Sequence, residues 1–170
     1  MEIKNLIRDI PDFPIPGLMF KDISPLLLKP EAMTYCQQTW LQALGNIKID
    51  KVIGVESRGF FFAPMLAVSL EAGFVPVRKP GKLPFTTIET SYDLEYGSNV
   101  LQMHTDAIQP GNKVLIHDDV LATGGTIEAV VKLVQQMGGE VVHVNFLLEL
   151  SYLHGKKKLD EIPYTSIVNY

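Results

Sequence analysis

Cysteine is nearly absent from this chain of 170 residues, because Cys36 is the only one. A single cysteine excludes an internal disulfide and is typical of proteins from a reducing compartment. Apolar runs are also short: none approaches the roughly 20 residues that a membrane-spanning helix needs. The first residues, MEIKNLIRDIP, lack the continuous apolar segment of a signal peptide. We therefore expect a cytoplasmic protein that does not act at a membrane.

Excess charge of one sign is small as well. The net charge is -4 and charged residues make up 20% of the chain, which does not favour nucleic acid as a partner. Hydrophobic residues make up 46%, enough for a proper core at this length. The sequence contains no repeat, linker or low-complexity stretch. We expect one domain over residues 1–170, with a proline-rich, ordered, non-helical arm at about residues 1–28.

Beyond the arm, the pattern alternates between apolar strands and amphipathic helices. Such alternation predicts an α/β fold, with a mostly parallel central sheet flanked by helices. Pro30 and Gly45 mark the two ends of the first helix, whose buried face should carry Met33, Trp40, Leu41 and Leu44. The further expected strands are 51–56, 74–77, 99–104, 113–117 and, as the last one, 141–148; the further expected helices are 60–71 and 126–137. Residues 78–96 are basic, contain glycine and proline, and predict a long, mobile loop with strand at its ends.

Residues 114–126, VLIHDDVLATGGT, contain the most informative motif. An apolar strand delivers Asp118 and Asp119 to the carboxyl edge of the sheet, where ligands bind in such folds. The turn that follows starts a helix, and its backbone N–H groups and helix dipole favour an anion. This anion-binding turn comprises Ala122, Thr123, Gly124, Gly125 and Thr126.

A sugar phosphate would satisfy both halves of the motif. The phosphate would bind in the turn, while Asp118 and Asp119 accept hydrogen bonds from ribose hydroxyls or hold a Mg²⁺ ion on them. Two alternatives remain at this point. The Asp pair could be a helix-capping or metal pair of a receiver-like domain, and the glycines could form only a tight turn. A P-loop is excluded, because no Gly-Lys-Ser/Thr follows the glycines.

The motif closely resembles the phosphoribosyl pyrophosphate signature of type I phosphoribosyltransferases. Residues 13–27, FPIPGLMFKDISPLL, resemble the base-binding hood of the adenine phosphoribosyltransferases within that family. Three further segments support the same subfamily: ESRGF at 56–60, RKPGKLP at 78–84 and SYDLEYG at 91–97. The resemblance covers nearly the whole chain, with its segments in the family's order.

The resemblance implies the type I phosphoribosyltransferase fold, with a small N-terminal hood and a long flexible loop. It implies transfer of ribose 5-phosphate from 5-phosphoribosyl 1-pyrophosphate to N9 of adenine, giving AMP and pyrophosphate in purine salvage. Mg²⁺ would be the cofactor, bound mainly through the substrate and near Asp118 and Asp119. The partners would be these small molecules and a second copy of the chain in a homodimer.

Site residues follow by matching the motifs position by position. Glu95, near the end of the loop, is the candidate for handling the purine proton, and Arg58 joins it as a catalytic residue. An arginine at a helix start also offers a planar donor fork for phosphate oxygens. The expected pyrophosphate-binding residues are Ser57, Arg58, Arg78, Lys79 and Lys82. The expected base-binding residues are Met19, Phe20, Lys21 and Leu150.

Each assignment has a plainer alternative. Arg58 could be a surface residue, and the cations of 78–82 could form a solvated loop. Phe20 could pack the arm onto the core, and the core interpretation is the better one for Leu148 and Leu150.

Two positions depart from the family's usual pattern. Lys21 stands where arginine is common, which would weaken a stacking or bidentate contact but keep the cation. His117 occupies a position that is commonly apolar, and strand alternation points its side chain away from Asp118. We therefore expect a structural or solvent-facing histidine there.

Two other functions fit the same motif. One is transfer to another base, such as hypoxanthine, xanthine or orotate. The other is a non-catalytic regulator that senses 5-phosphoribosyl 1-pyrophosphate. The hood segment argues against the first. The acidic composition and the retained Glu95 argue against the second.

Overall fold

The computed structural model describes residues 1–93 and 98–170 of the chain. Its strands in chain order are β1 (Arg8–Ile10), β2 (Phe20–Asp22), β3 (Lys51–Val55), β4 (Gly73–Val77), β5 (Thr87–Asp93), β6 (Ser98–His104), β7 (Lys113–Leu121), β8 (Glu140–Glu149) and β9 (Tyr164–Asn169). Its α-helices are α1 (Ser24–Leu27), α2 (Pro30–Leu44), α3 (Ala63–Ser69) and α4 (Gly125–Gln136). Short 3₁₀ helices span Ile3–Leu6, Arg58–Phe61, Ser151–Leu153 and Gly155–Leu159.

A five-stranded sheet with the order β4-β3-β7-β8-β9 forms the centre, and each neighbouring pair in it is parallel. The chain leaves β3 for β4 on one side and later returns to β7 on the other side of β3. The sheet therefore has its topological switch point between β3 and β7. Ligands of open α/β sheets bind at the carboxyl ends of the strands at such a point.

Two apolar layers cover the faces of this sheet. One layer packs α2 and α3 against side chains such as Leu115 and Leu147. The other packs α4 and the β5–β6 hairpin against side chains such as Ile116 and Val144. Because both faces are covered, β7 and β8 need apolar residues at successive positions, which explains their continuous apolar runs. The mostly parallel α/β fold is confirmed.

The first long helix begins and ends as the sequence predicts. Pro30 lies in its first turn, and Gly45 follows its last residue with φ of 56°. Its buried face is shifted relative to the prediction, since Ala32, Cys36, Trp40 and Leu44 are buried. Met33 and Leu41 lie half-buried at the edges of that face.

Several predicted boundaries were wrong. β7 continues to Leu121, so the Asp pair lies within the strand and not after it. The helix expected at 60–71 is a 3₁₀ helix followed by the shorter α3, and α1 adds one helical turn to the arm. β8 is not the last strand, because β9 pairs with it as an edge strand. By contrast, the strand expected towards the end of the 78–96 segment is present as β5, which pairs with β6.

Among the described residues, no helix is both long enough and apolar enough to cross a membrane.

Candidate active site

Two neighbouring cavities lie where the switch point predicts a site. The first, of about 360 Å³, is lined by Val55, Glu56, Ser57, Arg58, Lys79, Asn99, Leu101, Asp118, Asp119, Val120 and Thr126. The second, of about 140 Å³, is lined by Leu18, Met19, Phe20, Lys21, Arg58, Val120 and Leu150. Arg58 and Val120 therefore lie on the boundary between the two cavities. All four predicted base-binding residues line the smaller one.

Asp118 and Asp119 are consecutive residues of β7. Asp119 is only 4% exposed, and its Oδ2 lies 2.7 Å from Nε of Arg58. The Asp118 Oδ1 accepts a hydrogen bond from the backbone N–H of Asp119 at 2.9 Å. Burial raises the pKa of Asp118 well above the ordinary carboxyl value, and the neighbouring Asp119 charge raises it further. Burial also raises the pKa of Asp119, although the nearby Arg58 opposes that rise.

Arg58 connects the sheet to the N-terminal arm. Besides its ion pair with Asp119, it donates a hydrogen bond from Nη1 to the backbone carbonyl of Lys21 at 3.1 Å. Its guanidinium carbon lies 4.7 Å from the centre of the Phe20 ring. The next residue, Gly59, allows this turn to approach β7, because a Cβ there would lie 2.8 Å from the His117 carbonyl oxygen. Arg58 is thus a partly buried, anchored residue and not a surface arginine.

The basic segment after β4 converges on Glu56. The Glu56 side chain is 7% exposed and forms ion pairs with Arg78, at 3.4 Å, and with Lys82. The backbone N–H of Lys79 donates to its Oε2 at 2.9 Å. Burial alone would raise the pKa of Glu56, but hydrogen bonds from Lys82, Lys79 and Arg78 hold it below its usual value. The side chains of Arg78 and Lys82 are therefore held at Glu56, whereas Lys79 contacts Glu56 through its backbone and lines the 360 Å³ cavity.

The predicted anion-binding turn is confirmed as a turn that opens a helix. Gly124 immediately precedes α4 and has φ of 83°, a conformation that suits glycine. Gly125 is the first residue of α4, so the N–H groups of its first turn have no acceptor within the helix. Thr126 lines the larger cavity, while Thr123 is exposed and Ala122 is half-buried.

The N-terminal arm forms the hood beside the smaller cavity. The Phe20 ring packs edge-on against Phe13, with 5.1 Å between ring centres. The Lys21 side chain points elsewhere, since its Nζ lies 2.7 Å from Asp9 and 3.7 Å from the centre of the Tyr170 ring. Leu150 belongs to the apolar layer beside α2 and also lines the cavity, so its core interpretation and its predicted place at the base site coexist.

His117 is structural, as expected. It is fully buried, and its ring packs edge-on against Trp40 at 4.8 Å and Phe62 at 5.9 Å between ring centres. Burial lowers the pKa of His117 to about 3, so the ring is neutral at physiological pH. The predicted catalytic Glu95 lies outside the described residues, together with the other residues of 94–97, the last four positions of the SYDLEYG segment.

Glu56 is the site residue that the sequence alone did not single out. Its position directly after β3 was the available signal, because the motif ESRGF places it at the carboxyl edge of the sheet. Asn99, on β6, also lines the larger cavity. A third cavity, of about 680 Å³, lies beside α4, away from this site, and its lining includes Lys132, Lys158 and Glu161. None of the predicted site residues lines it. Of the two cavities at the site, the larger cavity is the one of about 360 Å³.

Comparison with known proteins identifies the family. The family model of the phosphoribosyl transferase domain matches residues 28–169. Over all 170 residues the chain is 56% identical to the adenine phosphoribosyltransferase of Flavobacterium johnsoniae, covering 100% of both chains. The chain belongs to the adenine phosphoribosyltransferase family.

Solved structures of the family agree with the fold. The adenine phosphoribosyltransferase of Thermoanaerobacter pseudethanolicus superposes with a TM-score of 0.96 at 49% identity, covering 99% of this chain and 98% of that one. The Saccharomyces cerevisiae enzyme, solved with adenine and an imino-altritol bisphosphate, has a TM-score of 0.91 at 38% identity, covering 97% and 96%. The predicted type I phosphoribosyltransferase fold and pentosyltransferase activity on adenine are thereby confirmed.

Proposed function

We propose that the two cavities hold the two substrates of AMP synthesis, with the reacting atoms meeting beside Arg58 and Val120. In this arrangement 5-phosphoribosyl 1-pyrophosphate occupies the larger cavity and adenine the smaller one. The observation that carries the proposal is that the two cavities share these two lining residues. A single residue at the boundary can position both substrates, which removes much of the entropy cost of bringing them together.

In the larger cavity, the turn at 122–126 binds the 5-phosphate through the N–H groups of α4 and the hydroxyls of Thr123 and Thr126. Asp118 and Asp119 accept hydrogen bonds from the ribose hydroxyls. A bound ligand that donates to these carboxylates favours their ionised forms, against the rise in pKa that burial causes in the free protein.

Pyrophosphate binds at the opposite end of the larger cavity, beside Ser57 and Arg58. In the free protein Glu56 supplies the negative charge that holds Arg78 and Lys82. We infer that the leaving pyrophosphate takes over these two cations and the Lys79 side chain, which neutralises the charge that develops on it. Such preorganised cations stabilise a leaving group without reorganisation at the moment of reaction.

The carboxylate pair also fits the expected magnesium ion. Mg²⁺ is usually bound through one or two carboxylates together with substrate oxygens. Asp118 and Asp119 supply such a pair at the edge of the larger cavity, and no cluster of three or more acidic, histidine or cysteine side chains occurs among the described residues. A bound Mg²⁺ would neutralise part of the substrate's negative charge, and the substrate would supply most of its ligands.

In the smaller cavity, Phe20 stacks on the purine and backbone groups of Met19 and Lys21 contact its edge, with Leu150 closing the pocket. Departure of pyrophosphate builds positive charge on the sugar carbon, as in other glycosyl transfers. Glu95 accepts the proton that the purine ring must lose, and the loop that carries Glu95 excludes water from the site.

For the protein as a whole, we propose one domain over residues 1–170, a cytoplasmic location and a homodimer. Analytical ultracentrifugation tests the homodimer directly: a single species of twice the chain's 18.9 kDa mass is expected.

A coupled assay tests the assignment of substrates to the site. Adenine, hypoxanthine and guanine are offered separately with 5-phosphoribosyl 1-pyrophosphate and Mg²⁺, and nucleotide formation is followed. Adenine alone should react. Replacing Phe20 with leucine should raise KM for adenine and leave KM for the donor unchanged, because Phe20 lines only the smaller cavity. An equal rise in both constants would contradict the division into two cavities.

A further inference from the structure

The anion-binding turn at 122–126 packs against a segment that follows it by about 30 residues in the chain. The 3₁₀ helix Gly155–Leu159 lies against the turn, and Gly155 is buried there. A Cβ placed on Gly155 would lie 2.2 Å from the carbonyl oxygen of Ala122 and 3.0 Å from the backbone nitrogen of Gly124. Backbone therefore contacts backbone, with no room for a side chain.

The contact is reciprocal. A Cβ placed on Gly124 would lie 2.5 Å from the carbonyl oxygen of Gly155 and 2.8 Å from Cβ of Lys158. Neither glycine can be replaced by a residue with a side chain unless the other's backbone moves, because each backbone passes where the other's Cβ would lie. The sequence pattern alone would attribute Gly124 to phosphate binding, whereas the structure shows that Gly155 and Lys158 also leave no room for a side chain there.

Lys158 extends this contact into the helix. Its stem lies beside Gly124, and its Nζ pairs with Oε2 of Glu128 at 2.7 Å. Glu128 lies in the first turn of α4, and its backbone N–H donates to the Gly124 carbonyl at 3.0 Å. Lys158 therefore bridges the turn at Gly124 and the first turn of α4.

We propose that Gly155 and Lys158 are positioning residues for the phosphate-binding turn. They hold the backbone of 122–126 in the conformation that aims its N–H groups at the phosphate monoester of the donor. Neither residue lines either of the two proposed substrate cavities, and neither contacts the substrate. The inference rests on the proposed binding of the donor phosphate at this turn.

Steady-state kinetics of Gly155→Ala test the proposal. The methyl group must push the turn out of position, and displacements of about 1 Å can cost as much as about 100-fold in rate. We expect KM for 5-phosphoribosyl 1-pyrophosphate to rise about 10-fold or more. KM for adenine should change by less than about twofold, the range of a neutral substitution.

Gly139→Ala is the matched control. A Cβ on Gly139 would lie 2.8 Å from Cγ2 of Ile108 and 2.9 Å from Cγ1 of Val134, so this position is crowded too, although by side-chain methyl groups, and it follows the far end of α4. A merely structural role for Gly155 predicts the same kinetics for both variants at matched thermal stability. Equal donor KM values would overturn the proposal.

Two further variants keep the test decisive. If Gly155→Ala does not fold, Lys158→Ala decides: a donor KM about fivefold higher supports the proposal, and a donor KM like that of the parent refutes it. Gly125→Val tests the turn itself, because a side chain there blocks approach of the phosphate. If Gly125→Val leaves the donor KM unchanged, the proposed binding site fails; if only Gly155→Ala and Lys158→Ala leave it unchanged, the positioning role alone fails.

Discussion

At the scale of the residue, Asp118 combines a functional position with a stability cost. Its carboxyl is next to a second carboxyl on a covered strand, and burial raises its pKa. When a carboxyl has a higher pKa in the folded state than in the unfolded state, the folded protein becomes less stable as the pH rises above the unfolded-state pKa. Such conflicts between stability and local chemistry are expected at functional sites.

Asp118→Asn should therefore stabilise the free protein while impairing catalysis. Asparagine keeps the shape and one acceptor oxygen but carries no charge at pH 7. A gain of about 1 kcal/mol would raise Tm by about 2–4 °C in a chain of this size. Thermal unfolding should show the gain at pH 7 and a smaller one near pH 4, where the parent carboxyl is protonated in the folded state. Asp106→Asn, at an exposed position, serves as the control; a Tm gain equal in both variants would contradict the explanation.

A substitution of Glu95 distinguishes a catalytic protein from one that only binds the substrates. A carboxylate that hydrogen-bonds to N7 of adenine leaves the N9 lone pair free to attack and can accept the proton. Glutamine keeps the size but cannot take a proton. Since positioned acid–base groups contribute roughly 10²–10⁴ in rate, Glu95→Gln should lower kcat by about that factor. KM for adenine should change little, as for an interaction made in the transition state.

The matched control for Glu95 is another glutamate, on strand β5. Glu89 is an exposed carboxylate on β5 that accepts a hydrogen bond from Gln102 at 2.8 Å. Glu89→Gln should keep kcat within about threefold of the parent, as an ordinary surface change does. A Glu95→Gln variant that behaves in the same way in an adenine titration would remove Glu95 from the catalytic residues.

At the scale of the element, the β1–β2 hairpin carries the hood and is attached to the rest of the chain by Lys21. The ammonium lies between the Asp9 carboxylate and the Tyr170 ring. The side chain is thus used to hold the hairpin, and the Lys21 carbonyl accepts from Arg58 on the site side. Position 21 therefore needs a cation between an acid and a ring, and lysine supplies it.

Lys21→Met should loosen this attachment and weaken adenine binding. An ion pair or cation–π contact of this kind contributes about 1 kcal/mol, which corresponds to about a fivefold rise in KM for adenine. KM for the donor should stay near that of the parent. Lys21→Arg keeps the cation and should keep KM for adenine as well. The interpretation fails if arginine raises KM for adenine as much as methionine does.

At the scale of the whole molecule, the sheet contains a buried polar row beneath α2. His117 of β7 is paired with Asn145 of β8, and both side chains are fully buried. Neither ring nitrogen of His117 has a hydrogen-bond partner among the described residues. A second proton on this buried ring would therefore be unfavourable, because no described group accepts a hydrogen bond from it.

His117 should make the stability of the protein depend on pH. Its pKa is about 3 when folded, against an ordinary value of 6.5, so between these values the unfolded chain binds more protons. Stability then rises with pH across that window and is lost on acidification below about pH 6.5, by up to about 1.4 kcal/mol per pH unit. Urea unfolding of His117→Phe between pH 5 and 7 should show a shallower slope than the parent. His154→Gln, at an exposed position, should keep the parent's slope.

Local pattern was sufficient for the fold class, for most of the elements and for the motif at 114–126. Covered parallel strands require unbroken apolar runs, and a helix that begins at Gly124–Gly125 requires a glycine in a left-handed conformation. Both requirements act on neighbouring residues, so they leave a signal in the order of the sequence. The edge strand β9 has a weaker sequence signal, because it follows two short 3₁₀ helices and lacks a continuous apolar run.

Contacts between segments that are distant in the sequence could be identified only from the tertiary structure. Glu56 meets Arg78 and Lys82, which follow it by more than 20 residues, and Lys21 holds Asp9 and Tyr170 at opposite ends of the sequence. Gly155 meets the turn only because β8 carries the chain back to the same edge of the sheet. Which charges pair, and which backbones touch, depends on how strands are ordered side by side. Residue spacing along a single chain does not contain that order.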